Sequence, residues 1–568
     1  MAHPGPQRVA VIGAGPAGLA TVKELLAEGH EPVCFERAAS LGGVFRRAED
    51  DGVCWESCRL VSSGVITGFS DFPVPPDRTG HMKAREYLDY LTRYAQTFGV
   101  MDHIQFGTTV EHVSRRPEGG WEVRTSTKDG ETHTGIFNAV AVCTGLVQIP
   151  NMPDVAGADT FTGQILHSAQ YRNPDQLRGK RVLVVGGGES GAEIAAEAAN
   201  HAAEVTLSLR RGVAVRPRNT RGLPHDHQIT RLNHSPSAWI YQTRHPDDRW
   251  KRRIYRVMFF PLLVGERGLQ ATSRLLYDIL PLFHPRRLVR GRAALAEART
   301  ALRVRRLTEA LLKESGGRVL ENFGTKSDDF VRAIALGRCR RVGAIERFEG
   351  SRVCFSDGSS VEPDLVIYCT GFRQQASFLD EASASLPRFL HTFNPSVGKD
   401  LAFIGQIRPA FGAIPPVAEL QARWFAQLMS GAVTLPLESE MRAATARQTE
   451  AQRRLFRALD GRLGTLVDFT SACDALASQI GCKPTDEAIA RESREFRRRF
   501  FAAPFVSAQY RLTGPHAAPE VARRVIESLP IAHPAPMLMA YHLHWRLSRL
   551  LHRFLGPEFA PKLDLKAR

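Results

Sequence analysis

Two glycine-rich strings, GAGPAG at 13–18 and GGGESG at 186–191, constrain this chain more than anything else in it. The first lies in RVAVIGAGPAGLATVKELLAEGHEPVCFER, which reads as strand, tight turn, helix, strand. Val9 to Ile12 form an apolar run suited to a buried parallel strand. Gly13 permits the turn, Gly15 lets the backbone approach a pyrophosphate, and Gly18 lets the helix pack close on the strand. With Ala14 in the turn and Pro16 and Ala17 opening the helix, free N–H groups and the positive dipole end would face phosphate. Glu36 ends the following strand, where a carboxylate accepts hydrogen bonds from ribose hydroxyls, and Arg37 stands beside it.

The pattern repeats in KRVLVVGGGESGAEIAAEAANHAAEVTLSLRR. Gly186, Gly188 and Gly191 take the glycine positions, and Glu189 and Ser190 open an alanine-rich helix. Its second strand ends in Arg210 and Arg211 instead of an acid. A carboxylate there would repel a 2′-phosphate, whereas guanidinium groups pair with one, so NADPH is expected over NADH. Two dinucleotides on one chain imply electrons passing between them.

The turn Leu41-Gly42-Gly43-Val44-Phe45, the segment AVAVCTGL (139–146) and the later DLVIYCTGF (364–372) resemble two-dinucleotide flavoproteins of the glutathione-reductase type. That likeness makes the first nucleotide FAD, with Gly43 and Val44 near it, and makes DLVIYCTGF the strand that closes the FAD site. The expected fold is α/β, with two Rossmann-like dinucleotide-binding domains and a mostly helical C-terminal extension. FAD-binding segments are expected at 1–165 and 325–440, an NADPH-binding domain with a basic insertion at 166–324, and the helical region at 441–568.

Between the loops, the string Phe161-x-Gly163-x-x-x-His167-x-x-x-Tyr171 resembles the fingerprint of the flavin-containing monooxygenases. TKSDDF (325–330), ALGRCRRVGAIERFEGSRVCFSDGS (335–359), LAFIGQIRP (401–409), AIPPVAELQARW (413–424), SQIGCKP (478–484) and AQYRLTGP (508–515) resemble successive blocks of the eukaryotic-type members. The likeness covers most of the chain in order, and speaks more to fold and cofactor than to substrate. It implies that NADPH reduces FAD, that dioxygen adds to give a C4a-hydroperoxide, and that a soft nucleophile takes the distal oxygen. A dry pocket then matters more than a general acid. His167 is expected to be architectural, linking two domains. Two departures stand out: Val44-Phe45 where the family usually has Trp after the glycine pair, and Leu60-Val61-Ser62-Ser63-Gly64 where many members carry Asn. Ser62 and Ser63 are the hydroxyls that could serve there.

A formal net charge of +16 over 568 residues invites nucleic acid, but no nucleic-acid motif accompanies the basic clusters. Nine cysteines lack metal-ligand spacing, so no metal is expected, and Cys54/Cys58 match neither redox-pair spacing of the disulfide reductases. No long uncharged apolar run suggests a membrane span, and the first strand begins too early for a signal peptide, which points to the cytoplasm. Arginines and histidines crowd 216–234 and 286–306. If they point inward they could clamp the carboxylates of an amino acid, so the expected substrate is a small amine or amino acid oxidised at nitrogen; the resemblance to bacterial biosynthetic enzymes of this kind implies aspartate converted to nitrosuccinate as one instance. Alternatives are S-oxygenation of a thioether, Baeyer–Villiger oxidation, or a weak NADPH oxidase acting as a redox sensor. Apolar stretches at 254–263 and 275–283, and the basic amphipathic pattern at 537–555, suggest peripheral membrane contact or a homo-oligomer.

Overall fold

The apolar run Val9–Ile12 becomes the middle strand of a five-stranded parallel sheet, covered on both faces as such runs require. Strand order is Leu401–Phe403, Ala139–Val142, Arg8–Ile12, Glu31–Phe35, Ile104–Gln105. A second parallel sheet runs Arg340–Val342, Glu204–Ser208, Arg181–Val185, Leu365–Tyr368, Gln164–His167. Each sheet has an antiparallel three-stranded companion, at 108–137 and at 345–361. The chain therefore builds the same α/β unit twice. This computed structural model describes residues 5–47, 52–232, 291–316, 324–456, 464–535 and six positions between 537 and 546.

Strand pairing corrects one expectation. DLVIYCTGF does not close the first site: Leu365–Tyr368 lies between Arg181–Val185 and Gln164–His167 in the second sheet. The strand that completes the first sheet is Leu401–Phe403, paired with Ala139–Val142. The two CTG copies do equivalent work on different loops. A Cβ on Gly13 would lie 3.0 Å from the Cys143 carbonyl oxygen, and one on Gly186 would lie 2.7 Å from that of Cys369. A return to the first unit at residue 325 consequently falls ahead of two strands, 340–342 and 365–368, that belong to the second sheet.

The helices Glu438–Leu455, Phe469–Ile480, Arg494–Ala502 and Pro519–Ser528 make the C-terminal region mostly helical. That region shares one core with the first unit: Phe469, Leu476, Phe496 and Phe505 pack in the same cluster as Leu19, Val22 and Trp424. A buried charge cluster fastens the two together. Arg511 Nη2 lies 2.7 Å from Glu24, 2.9 Å from Asp71 and 3.0 Å from Glu419, while Lys23 contacts Glu24 and Asp71. Burial works to raise the Glu24 carboxyl, but Arg511 and Lys23 outweigh it and hold the pKa down to about 2. The three carboxylates come within 4.8 Å of one another, a spacing a metal ion could use, yet the guanidinium already sits among them.

Candidate active site between two glycine loops

At the first loop Gly13 adopts φ +102° and donates to the Phe35 carbonyl at 2.8 Å, which sets the turn. A Cβ on Gly18 would fall 1.8 Å from the Gly13 oxygen, so helix and turn meet only with glycine there. Gly15 caps the helix Pro16–Ala27 without a side-chain acceptor, which leaves the first-turn N–H groups for a ligand. The Gly43 backbone lies over it: a Cβ on Gly43 would be 3.1 Å from the Gly15 Cα. Val44 beside it is half-buried. Glu36 is buried and fully engaged, accepting from Ala14 N at 2.8 Å, Ala38 N at 2.9 Å and Arg46 Nη1 at 3.2 Å. Arg37 is exposed. Sequence reading missed Arg46, which lies in no glycine motif.

The second loop has the same turn and a more open mouth. Gly186 has φ +112°, and a Cβ on Gly191 would fall 1.9 Å from the Gly186 oxygen. A Cβ on Gly188, the N-cap of the helix Glu189–His201, would meet nothing within 4 Å. Both loops thus fit a pyrophosphate, the first under a backbone cover and the second facing open space. Ser190 is half-buried in the first turn. Glu189 accepts from Lys326 N at 3.0 Å, and burial raises its pKa. Arg210 and Arg211 are exposed just beyond the strand Glu204–Ser208.

The string from Phe161 to Tyr171 joins the two units. Phe161 packs edge-on against Phe348, with ring centroids 5.1 Å apart, and a Cβ on Gly163 would lie 2.6 Å from the Phe161 ring. His167 is buried; its Nδ1 accepts from Ala169 N, which places the proton on Nε2 for the Gly371 carbonyl 3.0 Å away. Burial lowers its pKa and keeps it neutral. Tyr171 donates to Glu197 at 2.8 Å. His167 thus ties the end of the strand Gln164–His167 to the Gly371 carbonyl, an architectural contact.

Residues 216–232, which sequence reading took as a basic stretch and possible carboxylate clamp, form a strap. It ties the second unit to the first and to the C-terminal region. His81 lies between the carbonyls of Leu60 and Arg218, at 3.1 and 3.2 Å. Asp226 Oδ2 accepts from Ser63 N at 2.6 Å, and Phe505 N donates to Ile229 O at 2.7 Å. The Ser62 hydroxyl is engaged with Thr67 at 2.9 Å, whereas Ser63 Oγ has no partner among the described residues. Burial lowers the pKa of His81 and His227. It also drives His225 to about 4, helped by Arg216, His533 and Lys326.

The expected arginine clamp is corrected at the arginines that follow; its positions 233–234 and 286–290 lie outside the described residues. Arg218 pairs with Glu193, and Arg231 pairs with Asp474 at 3.0 Å among Phe500, Phe505 and Tyr510. Arg299, Arg303, Arg305 and Arg306 are exposed on the helix Gly291–Glu314, a solvated face. A guanidinium already neutralised by a protein carboxylate has little left for a substrate's. The stretches 254–263 and 275–283, and all but six positions of 537–555, lie outside the described residues; among those described, no helix is long and apolar enough to cross a membrane. Cys54 and Cys58 are free, and contact with Cys54 together with burial pushes the Cys58 thiol up, away from a reactive thiolate.

Two α/β units, each with a glycine loop and linked by the Phe161–Tyr171 string, define a two-dinucleotide flavoprotein. Residues 6–238 and 299–529 match the flavin-binding monooxygenase-like family, and the chain belongs to it. It is similar to a 4-hydroxybenzoate brominase (decarboxylating) of Marinomonas mediterranea, 32% identical over 96% of this chain and 97% of that protein. It is also similar to flavin-containing monooxygenase 5 of Cavia porcellus, 31% identical over 90% and 89% of the two chains. Among solved structures, the fold resembles cyclohexanone monooxygenase from Rhodococcus sp. Phi1, with a TM-score of 0.59 and 18% identity over 84% of this chain and 98% of that one. S-allyl-L-cysteine S-oxygenase from Allium sativum matches with a TM-score of 0.56 and 21% identity over 95% and 99%. The protein is therefore an FAD-dependent monooxygenase that consumes NADPH and dioxygen and acts on a small molecule.

Proposed function

We propose that FAD is held at Gly13, Ala14, Gly15, Pro16, Ala17, Gly18, Glu36, Arg37, Gly43 and Val44, with Ser62 and Ser63 beside its reacting end. NADPH then enters at Gly186, Gly188, Glu189, Ser190 and Gly191, its 2′-phosphate on Arg210 and Arg211. FAD supplies the oxygen chemistry, while these residues bind, orient and exclude water. The substrate is a small amine or amino acid, oxygenated at nitrogen in the cytoplasm.

One observation carries the nitrogen reading: next to Ser62–Ser63 the strap presents the carboxylate of Asp226 flanked by His81 and His227, whose burial favours the neutral ring. Such a wall accepts an N–H and orients an amine beside Ser62–Ser63, while the neutral rings add no positive charge to repel it. A second reading is favoured by the relatives whose printed substrate is 4-hydroxybenzoate, matched over 96% of the chain: a phenol carboxylate brominated through oxidised bromide. NADPH consumption and peroxide release measured with aspartate, lysine, trimethylamine, a thioether, and 4-hydroxybenzoate plus bromide separate these. Amine-dependent consumption without peroxide, and a product heavier by one oxygen, is the expected result. Coupling confined to the thioether, or to the phenol with bromide, sinks the nitrogen reading.

A further inference from the structure

We infer that Asp226 is a positioning and specificity residue at the junction of the two units: it holds the Ser62–Ser63 turn and, with the Ser63 hydroxyl, forms a buried acceptor pair for an N–H donor. The inference rests on the proposed placement of that turn at the oxygenation site.

Asp226 and Ser63 are 163 positions apart in sequence, yet the carboxylate takes the Ser63 N–H at 2.6 Å. Both residues are buried, at 6% and 0% exposure. Asp226 Oδ1 and Ser63 Oγ have no hydrogen-bond partner among the described residues. A carboxylate oxygen can only accept, and leaving it buried without a donor is unfavourable. The neighbours do not relieve it. His81 lies against the carbonyls of Leu60 and Arg218, Arg218 is committed to Glu193, and no hydrogen bond joins the neighbouring His227 to Asp226. A ligand bringing an N–H would therefore be fixed at two acceptors whose geometry the second unit imposes on the first. Two sources offer that chemistry, the nicotinamide carboxamide of NADPH and a primary amine of the substrate.

The test uses FAD-loaded full-length protein carrying Ser63→Ala or Asp226→Asn, the latter keeping an acceptor for Ser63 N while turning the other oxygen into a donor. Oxidised enzyme is titrated with NADP⁺ and with 2′,5′-ADP, read by the absorbance of bound flavin. NADPH consumption is followed with lysine, aspartate and trimethylamine. If the carboxamide is the donor, both variants weaken NADP⁺ about 10-fold and leave 2′,5′-ADP unchanged. If the amine is the donor, NADP⁺ binding holds and the KM for lysine or aspartate rises about 10-fold, with trimethylamine, which has no N–H as the free base, unaffected. NADP⁺ affinity and amine dependence both equal to the parent's overturn the inference. A parent enzyme that binds NADP⁺ but never couples to an amine removes the nitrogen reading instead, and the titration still decides the acceptor pair.

Discussion

The two glycine loops share a turn and differ in everything around it. At the first, Gly43 covers Gly15, both oxygens of Glu36 are engaged, and Arg511 anchors Glu24 on the helix that the loop opens. At the second, Gly188 faces open space, Arg210 and Arg211 are exposed, and the helix carboxylates Glu193 and Glu197 reach only the half-buried Arg218 and the Tyr171 hydroxyl. The turn alone makes a phosphate site; the surroundings set whether a nucleotide stays or exchanges. A resident cofactor suits the first loop and a cosubstrate that leaves each cycle suits the second.

The largest way to break this contrast is Arg511→Met. Removing the cation leaves buried Glu419 without its guanidinium and Glu24 and Asp71 with Lys23 alone of the two contacting cations, so a loss of about 3–5 kcal/mol and of FAD retention is expected; thermal melts and the flavin-to-protein absorbance ratio report both. Gly18→Ala is next: its Cβ would lie 1.8 Å from a backbone oxygen. Overpacking of about 3 kcal/mol should empty the first loop of FAD. Gly191→Ala, at 1.9 Å, should leave FAD bound and abolish reduction by NADPH. Equal FAD loss in both glycine variants would erase the distinction between the loops. Smaller still, Arg210→Ala and Arg211→Ala should each raise the KM for NADPH about 10-fold with little change for NADH, since one charge-assisted contact to phosphate is lost.

The mildest effect concerns pH. Burial lowers the folded pKa of His225 from 6.5 to about 4. A histidine kept neutral by folding contributes its full stability above 6.5, and loses it progressively as pH falls from 6.5 towards 4, because the unfolded chain takes the proton first. Acidification in that window should loosen the strap and raise the KM for NADPH before FAD is lost, and His225→Asn should flatten the profile. His391 is likewise lowered to about 4, by burial and by Arg388, so the variant removes only part of the slope in thermal stability.

What could be read from the sequence follows from how local each feature is. Both strand–turn–helix motifs were legible because their glycines are demanded by contacts within one short segment. The destination of DLVIYCTGF was not: AVAVCTG and LVIYCTG present the same apolar strand and turn, and only the pairing of Leu365–Tyr368 with Arg181–Val185 decides which loop each serves. Arginine-rich stretches misled for a related reason. Charge is visible in the chain, but whether it meets Glu193 or Asp474 depends on distant segments. Asp226 escaped notice because its partner is a backbone N–H on the other unit, which leaves no pattern in the residues nearby.

The anchor at Arg511 also bears on how the chain is made. Glu24 leaves the ribosome 487 residues before Arg511. At about 5–20 residues per second that is a wait of roughly 25–100 s. Through that interval the nascent first unit carries Glu24 and Asp71 with Lys23 beside them but without the guanidinium that completes the cluster, and a polypeptide ending before residue 511 should hold flavin poorly.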